Sequence, residues 1–158
     1  MSNSRRAARI GLPILLASLV LALPMAASAA PPIHHPTFRS DFLVGTDGPD
    51  TIAGRAGADL IFGLGGDDTL YGGPGADRVF GGAGADILHG GPGADTLRGG
   101  PGADTIFGGP GDDLILAAGD GAVDTIDCGP GPDDVAIVDP SDVVSHDCEY
   151  VWVRDPGV

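Results

Sequence analysis

From Gly45 to Leu116 an aliphatic residue recurs at every ninth position: Ile52, Ile61, Leu70, Val79, Leu88, Leu97, Ile106 and Ile115. The residues on either side of it, such as Thr, Arg and Phe, point the other way in an extended backbone. Each triplet is therefore a minimal strand with one inward side chain. The other six residues of each unit predict a turn. Gly stands at positions 1 and 4 and Asp at position 6 in all eight units, from GTDGPDTIA to GGPGDDLIL. Glycine permits positive φ and close backbone approach, and Pro at position 3 of four units fixes φ near −65°.

A three-residue strand is unstable alone, so the units must stack as a solenoid, each burying its eighth residue against its neighbours. Two units per coil predict four coils of 18 residues, a stack roughly 19 Å long, and a core one side chain wide. Burial of an aliphatic side chain is worth about 1.5 to 3 kcal/mol. Ordering costs about 1 to 2 kcal/mol for every residue, and more for glycine. The apolar core cannot hold this fold unaided.

The charge deepens the problem. The chain has 22 acidic residues, all Asp except Glu149, against 8 basic residues, all Arg, for a net charge of −14. Preference for Asp over the better helix former Glu places the carboxylates in turns, and so few cations argue against nucleic acid as a partner. Stacking would align Asp50, Asp68, Asp86 and Asp104 in one column and Asp59, Asp77, Asp95 and Asp113 in another. Like charges repel. A hard dication with oxygen ligands reverses the sign of that interaction, and Ca²⁺ suits carboxylates combined with turn carbonyls better than Mg²⁺, which retains waters and demands octahedral geometry.

These units resemble the repeat-in-toxin, or haemolysin-type, calcium-binding nonapeptide Gly-Gly-x-Gly-x-Asp-x-U-x, in which U is aliphatic. The resemblance covers 72 of 158 residues. It implies an all-β, right-handed parallel β-roll that binds several Ca²⁺, about six, each between same-side turns one coil apart. The implied ligands are the position-6 carboxylates with carbonyls of Gly73, Gly75, Gly82, Gly84, Gly91 and Gly93 from one turn. The turn one coil on would add those of Gly90, Pro92, Gly99, Pro101, Gly108 and Pro110. Asp77 and Asp95 would share one such site. Units one to three depart from the pattern at position 2, with Thr46, Arg55 and Leu64, which makes the N-terminal sites the least regular.

The flanks carry other signals. Residues 1–30 read as a signal peptide: Arg5, Arg6 and Arg9, an apolar run from Ile10 to Leu23, then Ala27-Ser28-Ala29. The apolar run is too short to span a bilayer, and Ser4-Arg5-Arg6 leaves general and twin-arginine export both open. Removal of the leader would leave 5 basic and 22 acidic residues. Residues 31–44 read as a linker and N-terminal cap, and residues 117–158 as degenerate repeats and a C-terminal cap. Cys128 and Cys148, a single pair in an exported chain, predict a disulfide. Cys128-Gly-Pro-Gly-Pro-Asp133 fits the nonapeptide with Cys128 at position 1, which makes Asp133 a candidate metal ligand. His34 and His35 read as part of a spacer.

Phe62 and Phe80, one coil apart at position 9, should stack on an outer sheet face. That strip either adheres to a partner or lies under residues 38–44 and 143–153. Ice binding by Thr51, Thr69 and Thr105 is disfavoured because Ile87 interrupts the row. No nucleophile elbow, zincin helix, phosphate loop or pair of catalytic carboxylates occurs, so no enzyme is expected. The expected function is that of a secreted calcium-binding protein, disordered without Ca²⁺ and folding when it meets the ion. The alternative is a calcium-rigidified adhesive or structural module that binds a protein or surface.

Overall fold

The computed structural model describes residues 37–154; the leader, His34 and His35 lie outside them. Thirteen short strands, with no helix among the described residues, wind into a parallel β-solenoid of about six turns. The odd strands are β1 (Phe42–Val44), β3 (Leu60–Gly65), β5 (Arg78–Ala83), β7 (Thr96–Arg98), β9 (Leu114–Leu116), β11 (Val135–Val138) and β13 (Tyr150–Val153). They form a seven-stranded sheet in chain order. The even strands are β2 (Thr51–Ala53), β4 (Thr69–Tyr71), β6 (Ile87–His89), β8 (Thr105–Phe107), β10 (Thr125–Asp127) and β12 (Val143–Val144). They form a facing six-stranded sheet.

Register carries the nonapeptide directly into three dimensions. Ile61 pairs with Val79, Val79 with Leu97 and Leu97 with Ile115, while Ile52, Leu70, Leu88 and Ile106 align on the other sheet. The eighth-position side chains from Ile61 to Ile115 are wholly buried between the sheets.

The roll is longer than four coils. Leu43 pairs with Ile61 and is buried, so β1 is a strand of the roll that extends it toward the N-terminus. At the other end Ile126, Ala136 and Val138 extend the core. Seven strands at about 4.8 Å per step span ~29 Å. Register survives the irregular turns because extra residues bulge outward: Thr105 pairs with Thr125 and Leu114 with Val135.

Cys128 and Cys148 form the expected disulfide, with Cα atoms 5.2 Å apart, and both are buried where the last coils meet. Phe62 and Phe80 stack as expected at 4.9 Å, and Phe42 joins them at 5.9 Å from Phe62. The segments 38–44 and 143–153 do not cover this strip. Their strands add to the sheet edges, where Leu43 and Val144 pack on the core and the exposed β13 pairs with β11. A second ladder, Tyr71–His89–Phe107, stacks at 4.8 Å per step on the other sheet.

Candidate metal centre

The turns joining the two sheets lie along two edges of the roll, and each edge carries a hydrogen-bonded column of acids. Along one, the backbone N–H of Asp50 donates to Asp68 Oδ1, Asp68 to Asp86, Asp86 to Asp104, and Asp104 to Asp124, at 2.8–2.9 Å. Along the other, Asp41, Asp59, Asp77, Asp95 and Asp113 each donate to the next, ending on Asp134, at 2.7–2.8 Å. Asp142 and Glu149 close the columns by accepting the N–H groups of Asp124 and Asp134.

Only one oxygen of each carboxylate is used in this way. The Oδ2 atoms of Asp59, Asp68, Asp77, Asp86, Asp95, Asp104, Asp113, Asp124 and Asp134 are buried and have no hydrogen-bond partner. Nine orphaned carboxylate oxygens is far outside the rule that buried polar atoms are satisfied.

The ends of the columns show how such an oxygen can be satisfied without an ion. Asp50 Oδ2 accepts the N–H and the hydroxyl of Thr46 at 2.6 and 2.9 Å, and Thr37 does the same for Asp41 Oδ2 at 2.6 and 3.0 Å. Asp142 Oδ2 takes the N–H of Asp139. Thr46, which departs from the Gly-Gly pattern, thus caps its own turn. Arg55 and Leu64, the other departures at position 2, adopt φ of 82° and 83°, the left-handed region that the glycines of later units occupy without strain.

Position 1 is glycine for a local reason. A Cβ on Gly72 would lie 2.5 Å from Asp77 Oδ2 and 2.6 Å from the carbonyl oxygen of Gly90, so orphaned carboxylate and neighbouring carbonyl converge on one spot. The position-1 and position-3 carbonyls of Gly90, Pro92, Gly99, Pro101, Gly108 and Pro110 accept N–H groups from Gly73, Gly75, Gly82, Gly84, Gly91 and Gly93 at 2.8–3.0 Å. Each keeps a second lone pair. The position-2 and position-4 carbonyls abut the glycines one coil on, Gly73 O against Gly91 and Gly75 O against Gly93.

Burial pushes the carboxyl groups of Asp68, Asp77, Asp113 and Asp124 up to about 6, and those of Asp95 and Asp104 to about 7. The backbone N–H each accepts opposes this, and neighbouring acids such as Asp86 and Asp50 around Asp68 add to it. Asp86 and Asp134 are raised for the same first cause. No cation pairs with them: among the described residues the one ion pair is His146–Asp147.

The column position expected for Asp133 belongs to Asp134. Cys128 does occupy position 1, since its carbonyl accepts the Gly109 N–H. One extra residue follows Gly131, so Asp134 is wholly buried and accepts the Asp113 N–H while Asp133 is exposed. Sequence reasoning also missed Asp41, Asp142 and Glu149. Asp41-x-Leu43 stands nine residues before Asp50-x-Ile52, the one signal that could have found it.

A metal fits this donor set. Among the described residues no three His, Cys, Asp or Glu side chains gather in one cluster, so any ion must take backbone carbonyls together with one or two carboxylates. That mixture suits a hard, oxygen-seeking cation.

A family model described as the RTX calcium-binding nonapeptide repeat matches in four copies, at residues 37–70, 54–88, 63–97 and 89–121. No curated protein and no solved structure gives a match.

Proposed function

The chain belongs to the RTX calcium-binding nonapeptide repeat family, and on that premise we propose an exported calcium-binding β-roll whose folding waits for the ion. The observation that carries this reading is the row of nine buried Oδ2 atoms without partners. Bound between the turns, Ca²⁺ supplies positive charge and accepts oxygen donors. Asp59, Asp68, Asp77, Asp86, Asp95, Asp104 and Asp113 would hold it, with Asp124 and Asp134 extending the columns. The carbonyls of positions 1 to 4 complete each site. The eight nonapeptides pair their same-side turns into about six sites. Asp50, already capped by Thr46, contributes least.

Without a cation, folding must bury these carboxylates either charged or at the cost of taking up protons, and a core one side chain wide does not offset that. At pH 7 and above the metal-free chain therefore stays unfolded. Extracellular calcium modules bind at about 10⁻⁴ to 10⁻³ M, so the chain passes the membrane unfolded and orders outside. The leader-like residues 1–30 and the disulfide support export to an oxidising compartment. The role is structural rather than catalytic. Circular dichroism of the chain titrated with Ca²⁺ and with Mg²⁺ tests the proposal. A cooperative gain of β signal at millimolar Ca²⁺ and none with Mg²⁺ is expected; a coil spectrum throughout would refute it.

A further inference from the structure

The outer face of the seven-stranded sheet differs from the rest of the molecule. Its outward positions, 42 and 44 on β1 through 150 and 152 on β13, include no Asp or Glu, in a chain that has 22. Apart from Arg78, Gly82, Thr96 and Arg98 these positions are aliphatic or aromatic. Aromatic side chains stand out at both ends: Phe42 is 58% exposed, Tyr150 50% and Trp152 66%.

Arg98 lies at the centre and lines three adjoining clefts of about 160, 210 and 280 Å³. Phe62, Phe80 and Pro101 form the apolar side of one, and Leu116, Ile137 and Arg154 form another. The third has Asp120 at its rim, where Asp120 Oδ2 accepts the Gly102 N–H. Among the described residues no carboxylate lies within ion-pair distance of Arg78, Arg98 or Arg154. Arg154 feels Asp139 from a distance and shares a cleft with Asp120, whereas Arg78 and Arg98 stand in the apolar plane with no carboxylate in direct contact.

We propose that this face docks on a phospholipid bilayer bearing anionic headgroups, with Arg78, Arg98 and Arg154 on lipid phosphates and the aromatic ends in the interfacial layer. The guanidinium fork matches phosphate oxygens. Tyr and Trp partition to the boundary between headgroup and acyl chain. The clefts are smaller than the roughly 300–1,000 Å³ of a small-molecule pocket, so they seat protruding groups and do not engulf a ligand. The plane is ~29 Å long, and the acid columns run along its edges, away from the contact. The inference rests on the calcium-loaded roll proposed above.

The test is co-sedimentation of the processed chain, residues 31–158, at millimolar Ca²⁺ with vesicles of phosphatidylglycerol and phosphatidylcholine or of phosphatidylcholine alone. Circular dichroism on the same samples reports whether the roll has formed, and Trp152, the sole tryptophan, reports contact. Expected are binding to the anionic vesicles with a blue shift of Trp152 emission, and at least tenfold weaker binding to phosphatidylcholine alone. Arg78→Gln with Arg98→Gln should lose at least tenfold while the spectrum and calcium midpoint hold. A folded chain that ignores anionic vesicles overturns the inference. So does full binding by the double variant, which would assign the contact to calcium bridging from the acid columns. Arginine-dependent binding to immobilised poly-glutamate with none to the anionic vesicles would overturn it in favour of an acidic protein partner. A chain that stays unfolded in calcium would overturn both this inference and the calcium-dependent folding beneath it.

Discussion

Replacing Asp95 with Asn should move the metal-free and calcium-loaded proteins in opposite directions. Asp95 is 2% exposed, its Oδ1 holds the Asp77 N–H, and its Oδ2 has no partner. Burial raises its carboxyl to about 7 from an ordinary 3.8. Above pH 7 the metal-free roll must therefore hold this charge at a cost on the order of 2–4 kcal/mol, the lower end allowing for solvent screening. Asn keeps an oxygen for the Asp77 N–H and removes the charge, so it relieves that cost. With calcium present the same change removes a ligand charge from the two sites that Asp95 borders, and the calcium concentration at half-folding should rise at least about tenfold. Calcium titrations followed by circular dichroism at pH 8 measure the second effect, and acid-induced folding in chelator measures the first. An unchanged or lowered calcium midpoint would refute Asp95 as a ligand. Destabilisation in both conditions would show the residue to be merely structural.

Three further outcomes follow. Carboxyl groups raised in the folded state contribute stability below their unfolded value near 4, and lose it as pH rises through 6 to 7. The chelated chain should therefore gain β signal on acidification from pH 8 to 4.5, and no gain would contradict the buried columns. Leu64→Gly relieves a left-handed φ of 83° at an exposed side chain, and should stabilise the loaded roll by about 0.5–1 kcal/mol, net of glycine's entropy cost, seen as a raised melting temperature. Cys128→Ser with Cys148→Ser opens a link across 20 residues of sequence. A loss of about 3 kcal/mol should raise the calcium midpoint, and reducing agent should reproduce the shift in the unmutated protein alone.

The central coils were legible because a single constraint repeats. Every coil needs the same inward aliphatic, the same turn glycines and the same carboxylate, so a period of nine residues contains strand, turn and column together. The ends were harder to read because the constraint relaxes there. Asp41 heads the column of Asp59, Asp77, Asp95 and Asp113 although its turn, Thr37 to Ser40, lacks every glycine, since Thr37 satisfies the carboxylate instead. Asp134 displaced Asp133 because one residue bulges after Gly131, and spacing by itself cannot tell an outward bulge from an unbroken unit. The outer face was half visible. The spacing of Phe62 and Phe80 placed them in one stack, but whether a segment lay over them depended on Leu43 and Val144 joining the core and taking their strands to the sheet edges.

If calcium orders the roll, the orphaned Oδ2 atoms are its ligands. Anomalous scattering from crystals of the calcium-loaded chain tests it most directly. Peaks are expected between successive same-side turns, each beside an Oδ2 such as those of Asp77 and Asp95, and none at Asp41, where Thr37 already holds the oxygen. Peaks confined to exposed acids such as Asp67 and Asp112, with the buried columns bridged by water alone, would contradict it.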